Sequence, residues 1–553
     1  MKEQQVLQLK CIDINHEGLG VVKADDFTIF VPNLLVGEEA KIRVNQIKKN
    51  FAFGEVVEYI SYSKERVNPI CKHFFKCGGC DLMHMNYESQ LKFKLSMANA
   101  TFKRIGHLDF EIKNIIGMEN PYEYRNKVQM PIGKKNGKII TGFYKKKSHD
   151  IIELDKCYIQ PSLSTDITKL VKNVANDLKI QAYDEVNKNG CLRHVIVRKT
   201  FCGEYMIVLV VFDDSKQNLY LLKELTERVV NRYSEVKSVI LNVNKKINNV
   251  ILGDSYKTLF GSDILIEEIL GLKFRMSHKA FFQINLKQTE KLYSKALEYA
   301  NINKEDIVLD CYCGVGTISL LASKKAKKVY GIEVVSEAIN DAIENSKLNG
   351  IKNAEFIVGK AEEKILEFKD KEIDVMIVDP PRKGLDINVV NTIKQKKIKK
   401  IVYVSCDIAT LARDLSLLSD MYKIDDVTLV DMFPQTADVE TVVLLSHKSN
   451  NSKVNVNLNF DNEKGKKLIK KVVEDVDSRK EPEGASYPEI KEYILNKYNV
   501  KVSSLNIAQI KTKYGIIERE CYNKPKSENS RQPNCTKEKE EMIVDALKHF
   551  KMI

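Results

Sequence analysis

The stretch IVYVSCDIATLARDL, Ile401 to Leu415, decides the fold. Ile401 to Val404 predict a buried strand. Ile408, Leu411 and Leu415 then recur at helical spacing, with Asp407 placed to cap that helix. Cys406 therefore falls where a strand ends and a helix begins. In an open α/β sheet, that is the end at which ligands bind. A thiol beside a helix N-terminus also sits in a positive field, which favours the thiolate. A buried, inert cysteine would look the same in isolation, so the surrounding segments have to decide.

Upstream, DIVLDCYCGVGTISLLA (Asp306 to Ala322) reads as strand, glycine loop, helix. Gly314 and Gly316 let the backbone approach a ligand at the helix N-terminus. KVYGIEVV (Lys328 to Val335) is a second strand ending at Glu333, where an acid would take ribose hydroxyls. The full G-x-G-x-x-G set of dinucleotide folds is missing. VMIVDPPRKGL (Val375 to Leu385) is a third strand, and its paired prolines stiffen a loop behind Asp379. DMFPQTADVETVVLLSHK (Asp431 to Lys448) puts Glu440 at the head of an apolar strand, with Asp431 and Asp438 as nearby rivals for any acid–base task. Before all of these, Phe281, Phe282 and Gln283 precede a helix with apolar residues at Leu286, Leu292, Ala296 and Leu297.

The chain has 553 residues, 43% hydrophobic and 29% charged, enough for three or four domains. No apolar run reaches membrane-spanning length and MKEQQVLQLKC lacks a signal-peptide core, so a cytoplasmic protein with no membrane partner is expected. Lys plus Arg number 88 against 75 acids, a net charge of +13. That permits a polyanionic partner without requiring one, because charge runs such as Lys394 to Lys400 are usually solvated faces. There is no Trp, so stacking on bases would fall to Tyr, Phe or Arg.

Short runs near Val6–Ile14, Gly20–Val22, Thr28–Val31, Glu39–Ile47 and Phe53–Ile60 predict a small OB-like barrel, a fold suited to single-stranded nucleic acid. Cys71, Cys77 and Cys80 follow in CKHFFKCGGC. Two glycines between the last two let several thiolates converge, and Cys157 is the candidate fourth. Such a set suits a 4Fe–4S cluster or a structural zinc, and spacing leaves both open. Leu91, Leu95, Ala98, Phe102 and Ile105 predict one amphipathic helix. A mostly strand-like mixed domain runs to about residue 255. Beyond His447 the chain turns polar and Asn-rich. Two helical patterns then follow, one at Ile490, Tyr493, Ile494 and Tyr498, the other at Leu505, Ile507, Ile510 and Tyr514. They read as a helix–turn–helix or, preferably, a small helical appendage.

In this order, CKHFFKCGGC with Cys157, FFQIN, DCYCGVGTISL, GIEVV, DPPRKG, VSCDIATLARDL and DVETVVLL resemble the RNA uracil-5-methyltransferase family. The branch is the one with an N-terminal TRAM domain that acts on 23S ribosomal RNA, and the likeness covers residues 1 to 447. It implies an α/β chain: a TRAM barrel over 1–62 and a mixed central domain over 63–270 carrying the cysteine cluster. A Rossmann-like, seven-stranded S-adenosylmethionine methyltransferase domain would span 271–447. A linker (448–480) and a helical appendage (481–553) would follow, and helix 86–105 would be free to pack on the catalytic domain.

By the same resemblance, Cys71, Cys77, Cys80 and Cys157 would hold a 4Fe–4S cluster. Gln283, Tyr312, Glu333 and Asp379 would bind S-adenosylmethionine, with Cys406 the nucleophile and Glu440 the base. The partner would be RNA, 23S ribosomal RNA first; the sequence does not give the oligomeric state, and a monomer is favoured. Three rivals stay open. One is the same chemistry on transfer RNA. Another is amino-group methylation, which DPPR loosely matches but which needs no thiol. The third is an RNA-binding assembly factor with a spent methyltransferase fold.

Overall fold

A computed structural model describes residues 1–146, 148–368, 372–448, 487–498, 500–514, 516, 535–550 and 552–553. The chain divides into two compact units, Met1–Asn450 and Asn451–Ile553. The stretch 448–480, expected to be a linker, lies outside the described residues except for Lys448.

The first unit opens with β1 (Val6–Ile14), β2 (Gly20–Ala24), β3 (Phe27–Val31), β4 (Glu39–Ile47) and β5 (Phe51–Ser61), closed into a barrel in the order β1-β2-β3-β5-β4. Alternate residues such as Val22, Ile29, Ile42 and Val44 fill it. Helix α1 (Tyr87–Arg104) is capped by Asn86, whose side chain accepts from Ser89 N. Then come β6 (Asn114–Ile116), β7 (Lys127–Lys135), β8 (Lys138–Tyr144), β9 (Ile151–Glu153), α2 (Ser162–Asp177), β10 (Leu192–Lys199), β11 (Tyr205–Val211), α3 (Lys216–Arg232), β12 (Val236–Val243) and β13 (Ser255–Gly261). Seven of these strands form one sheet, β13-β12-β11-β10-β7-β8-β9.

The run YMIVLVV of β11 is buried along its whole length because both faces are covered. Ile207, Leu209 and Val211 join the core with α2 and α3, while Met206, Val208 and Val210 join a second core containing Phe274 and Leu292. That second core belongs to the remaining elements. They are the hairpin β14 (Ile264–Ile269) and β15 (Leu272–Ser277), α4 (Leu286–Ala300), β16 (Ile307–Cys311), α5 (Thr317–Ser323), β17 (Lys328–Glu333), α6 (Ser336–Leu348), β18 (Ala354–Val358), α7 (Ala361–Lys364), β19 (Val375–Val378), α8 (Ile387–Lys396), β20 (Lys400–Ser405), α9 (Ile408–Leu418), β21 (Tyr422–Val430) and β22 (Glu440–His447). A domain boundary at residue 270 would cut this hairpin at its turn.

The second large sheet has eight strands where seven are expected, in the order β18-β17-β16-β19-β20-β22-β21-β6. The extra strand is β6, which pairs parallel to β21 through Asn114 and Thr428. β22 runs antiparallel to both its neighbours and the other pairs are parallel. Val402 and Val404 of β20 face the α4 side, and Ile401 and Tyr403 face α8 and α9. Helix α1 supplies Ala98 and Phe102 to the α8–α9 side. Its buried face differs from the expected apolar stripe: Ile105 is exposed, while Gln90 and Lys94 are fully buried.

The second unit contains α10 (Tyr487–Tyr498), α11 (Ser504–Lys513) and α12 (Lys537–His549), packed around Ile490, Ile494, Ile507, Ile510, Ile543 and Leu547. Ser503 and Asn506 form a capping box at the start of α11. Among the described residues, no helix is long and apolar enough to cross a membrane.

Candidate active site

The carboxyl ends of β16, β17, β19 and β20 meet the start of the antiparallel β22 along one sheet edge. Strand order reverses beside β16, which opens a crevice there. The chain leaves β16 through Tyr312 (φ +68°), Gly314 (φ +53°) and Gly316 (φ +82°). Tyr312 N and Cys313 N both donate to Ile332 O, at 2.9 and 3.0 Å, so the loop is anchored to β17. The two glycines serve different ends. A Cβ on Gly316 would come within 2.9 Å of Phe356 and 3.0 Å of Ala342, so glycine is needed for packing. A Cβ on Gly314 would meet nothing within 4 Å, so its open side faces the crevice.

Glu333 closes the loop. Its Oε2 accepts from Gly314 N at 3.2 Å and its Oε1 from Val335 N at 3.0 Å. Beneath lies Asp310, 1% exposed, whose Oδ2 accepts from Ser319 Oγ at 2.5 Å and whose Oδ1 has no partner. Burial, with Asp379 nearby, pushes the Asp310 carboxyl up to about 7. The partly buried Tyr312 side chain packs against the α8–α9 core beside the loop.

Ser405 pairs with Thr441 across β20 and β22. Cys406 follows the first and Glu440 precedes the second, so the two are brought opposite each other by register. Glu440 is 2% exposed and its Oε2 has no hydrogen-bond partner. Burial, then Asp379 and Asp438, hold its carboxyl well above the ordinary range, while Arg382 opposes them. Asp379, half-buried at the end of β19, is pushed up to about 7 by burial.

These neighbours correct one expectation. The Cys406 thiol is not held low by its helix. Burial first, then Glu440 and Asp379, push it up to about 12, and Arg382 opposes them. Burial comes first, and the two carboxyls brought in from distant strands add to it. Asp407 does cap α9, accepting from Ala409 N and Thr410 N.

Helix α9 also grips the DPPRKGL loop. Thr410 Oγ1 donates to Arg382 O at 3.1 Å, Arg413 Nη2 to Lys383 O at 2.9 Å, and Leu385 N to Asp414 Oδ2 at 2.7 Å. Gln283 precedes α4, and its side chain acts on the buried Tyr293 hydroxyl of that helix, which also feels Asp379, Glu440 and Asp310. Glu333, Asp379, Cys406 and Glu440 thus stand along one sheet edge, with Gln283 linked to it through Tyr293.

The rival acids are otherwise engaged. Asp431 is ion-paired to buried Lys94 at 2.5 Å, and Asp438 faces Arg382 at 3.6 Å. Asp310, Tyr293 and Arg382 were missed in the sequence. Only Arg382 carried a signal, its place directly after the paired prolines.

Cys71, Cys77, Cys80 and Cys157 line a cavity of about 800 Å³, together with Arg125, Lys127, Phe281 and Phe282. Burial raises Cys77 and Cys80 and brings Cys157 to about 11. Among the described residues, no group of three or more His, Cys, Asp or Glu side chains is arranged to hold a metal ion. The four cysteines share the lining of this one cavity.

A family model described as tRNA (uracil-5-)-methyltransferase matches residues 86–448, and a TRAM domain model matches residues 3–57. An uncharacterized RNA methyltransferase of Clostridium acetobutylicum is 44% identical over 452 residues, covering 80% of this chain and 98% of its own. One from Oceanobacillus iheyensis is 44% identical over 458 residues, covering 82% and 98%. The crystal structure of Pyrococcus abyssi tRNA (uracil-54, C5)-methyltransferase with S-adenosyl-L-homocysteine superposes with a TM-score of 0.65 at 29% identity, covering 79% of this chain and 99% of that one. These likenesses place the chain in the RNA uracil-5-methyltransferase family, with a TRAM domain at its N-terminus.

Proposed function

We propose that the protein methylates C5 of a uridine in 23S ribosomal RNA through a covalent bond between Cys406 and C6. The observation that carries this reading is the β20–β22 register, which sets Cys406 opposite Glu440, a buried carboxyl with an unpartnered oxygen. C5 of uracil is a poor nucleophile in a neutral ring. Addition of Cys406 Sγ to C6 makes C5 carbanion-like. S-adenosylmethionine, when bound, supplies an electrophilic methyl group to C5. Glu440 then takes the C5 proton, the C5–C6 double bond re-forms and the thiolate leaves.

Gln283, Tyr312, Glu333 and Asp379 are the residues we assign to the cofactor. Of these, Glu333 suits ribose hydroxyls, and the Asp379 carboxyl suits a cationic ligand. The target base must be flipped from its stack, at a cost of a few kcal/mol that is least in a loop. The barrel and central sheet would supply phosphate contacts that weaken with salt.

We assign Cys71, Cys77, Cys80 and Cys157 to a 4Fe–4S cluster with a structural role. A single zinc draws its sulfurs to about 2.3 Å from one point. The cavity of about 800 Å³ that the four thiols line leaves room for a polynuclear cluster.

The 29% identical tRNA enzyme favours a second reading, transfer RNA as substrate. Mapping 5-methyluridine in ribosomal and transfer RNA from cells with and without the protein separates them. Loss from 23S RNA alone supports the first reading. Loss from transfer RNA with 23S RNA unchanged replaces it by the second.

A further inference from the structure

The loop from Asp431 to Val439 leads into Glu440, and Val430 pairs with Glu440 across its base. With Oε2 unpartnered, the place of the Glu440 carboxyl depends on the backbone that delivers it. Three separate elements hold that backbone.

Helix α1 presents Tyr87, Gln90 and Lys94 along one face. Tyr87 donates to Asp431 Oδ2 at 2.7 Å, and Lys94 Nζ to Asp431 Oδ1 at 2.5 Å and Phe433 O at 3.1 Å. Gln90 and Gln435 pair reciprocally: Gln435 N donates to Gln90 Oε1 at 3.0 Å, and Gln90 Nε2 to Gln435 Oε1 at 3.0 Å. From the cysteine segment, the backbone N–H groups of Asp81 and Leu82, next after Cys80, both donate to Gln435 O at 2.9 Å. From α4, Asn285 Nδ2 donates to Met432 O and Gln288 Nε2 to Asp431 O, each at 3.0 Å. Gln435 itself is 1% exposed with φ +72°. A non-glycine residue keeps that conformation only where its surroundings over-determine it, and such residues cluster at functional sites.

We propose that Gln90 and Gln435 are positioning residues for Glu440, and that through them the cysteine segment and α1 set where the base meets the C5 proton. This rests on the reading of Glu440 as the base. In the step concerned, the C5–H bond breaks and its proton passes to the Glu440 carboxylate. Its electron pair forms the C5–C6 double bond, and the C6–Sγ bond breaks with its pair returning to Cys406. Earlier steps, donor binding and attack at C6, do not use Glu440. A displaced loop therefore slows release and spares the rest.

The test uses full-length Gln90→Leu and Gln435→Gly in single turnover, with S-adenosylmethionine and RNA carrying the mapped uridine. Gln435→Gly suits the left-handed backbone, so it keeps the test open if Gln90→Leu fails to fold. Adduct is followed on denaturing gels, released methylated RNA by mass, and donor affinity by calorimetry. The expected result is donor affinity within about twofold, and adduct that forms and then persists. Release should be slowed roughly 10- to 100-fold, the scale of a misplacement near 1 Å. Release at the wild-type rate overturns the proposal. So does an equal loss of affinity, adduct formation and release, which marks a purely structural role. Glu440→Gln in parallel separates the two readings: if it clears adduct normally, the base assignment itself fails.

Discussion

Replacing Lys94 by Met isolates one buried charge. Lys94 and Asp431 are both 0% exposed and their charged atoms are 2.5 Å apart. At an effective dielectric of about 20, the attraction across that distance is roughly 7 kcal/mol. Desolvation of both ions offsets much of it, so the pair as a whole adds little over a good apolar packing. Removing only the ammonium is different. Asp431 would keep one neutral donor, Tyr87 at 2.7 Å, and a carboxylate would stay in a dry core. The expected cost is about 3–5 kcal/mol.

The two compact units make whole-chain unfolding an unsuitable readout, so the assay is hydrogen exchange of the α1 amides. At 1.36 kcal/mol per decade, exchange in Lys94→Met should run about two to four decades faster. The double variant Lys94→Met/Asp431→Asn, with no charge left to bury, should recover most of that protection. Less than a tenfold change in the single variant, or no recovery in the double, would refute the reasoning.

Three further outcomes are expected. Alkylation of Cys406 by iodoacetamide, read on its own peptide, should still climb about tenfold per pH unit above pH 9, because the thiol is pushed up to about 12. The raised value means the reactive thiolate is lost as pH falls, and a plateau by pH 9 would contradict it. Gly314→Val must hold a branched side chain at φ +53° on the open side of the loop. A cost of about 1–2 kcal/mol should weaken S-adenosylmethionine binding roughly 5- to 30-fold, and unchanged calorimetric affinity would remove the loop from the cofactor site. Protein purified without oxygen should contain iron and acid-labile sulfide in equal amounts, lost on Cys80→Ser. A colourless protein with stoichiometric zinc would overturn the cluster assignment.

Which residues stand at strand ends was legible in the sequence. Cys406, Glu333, Asp379 and Glu440 each close or open an apolar run, and turn chemistry places them at one edge. What sequence patterns missed depends on contacts between distant segments. Gln90 and Lys94 sit at helical positions that look solvated, and only the loop folded over them makes them buried. Three residues, Asn114 to Ile116, add a strand to a sheet whose partner lies three hundred residues on. The raised Cys406 thiol was missed because its helix is local, whereas the burial of the thiol and the carboxyls of Glu440 and Asp379 come from distant segments. Apolar spacing reports which side faces a core; it cannot report which polar groups find partners inside one.

The most direct measurement is peptide mass spectrometry of Glu440→Gln after incubation with RNA and S-adenosylmethionine. A nucleotide bearing one added methyl group, bound to the peptide that contains Cys406, is the expected product. Free Cys406 alongside fully methylated RNA would contradict covalent catalysis at this thiol.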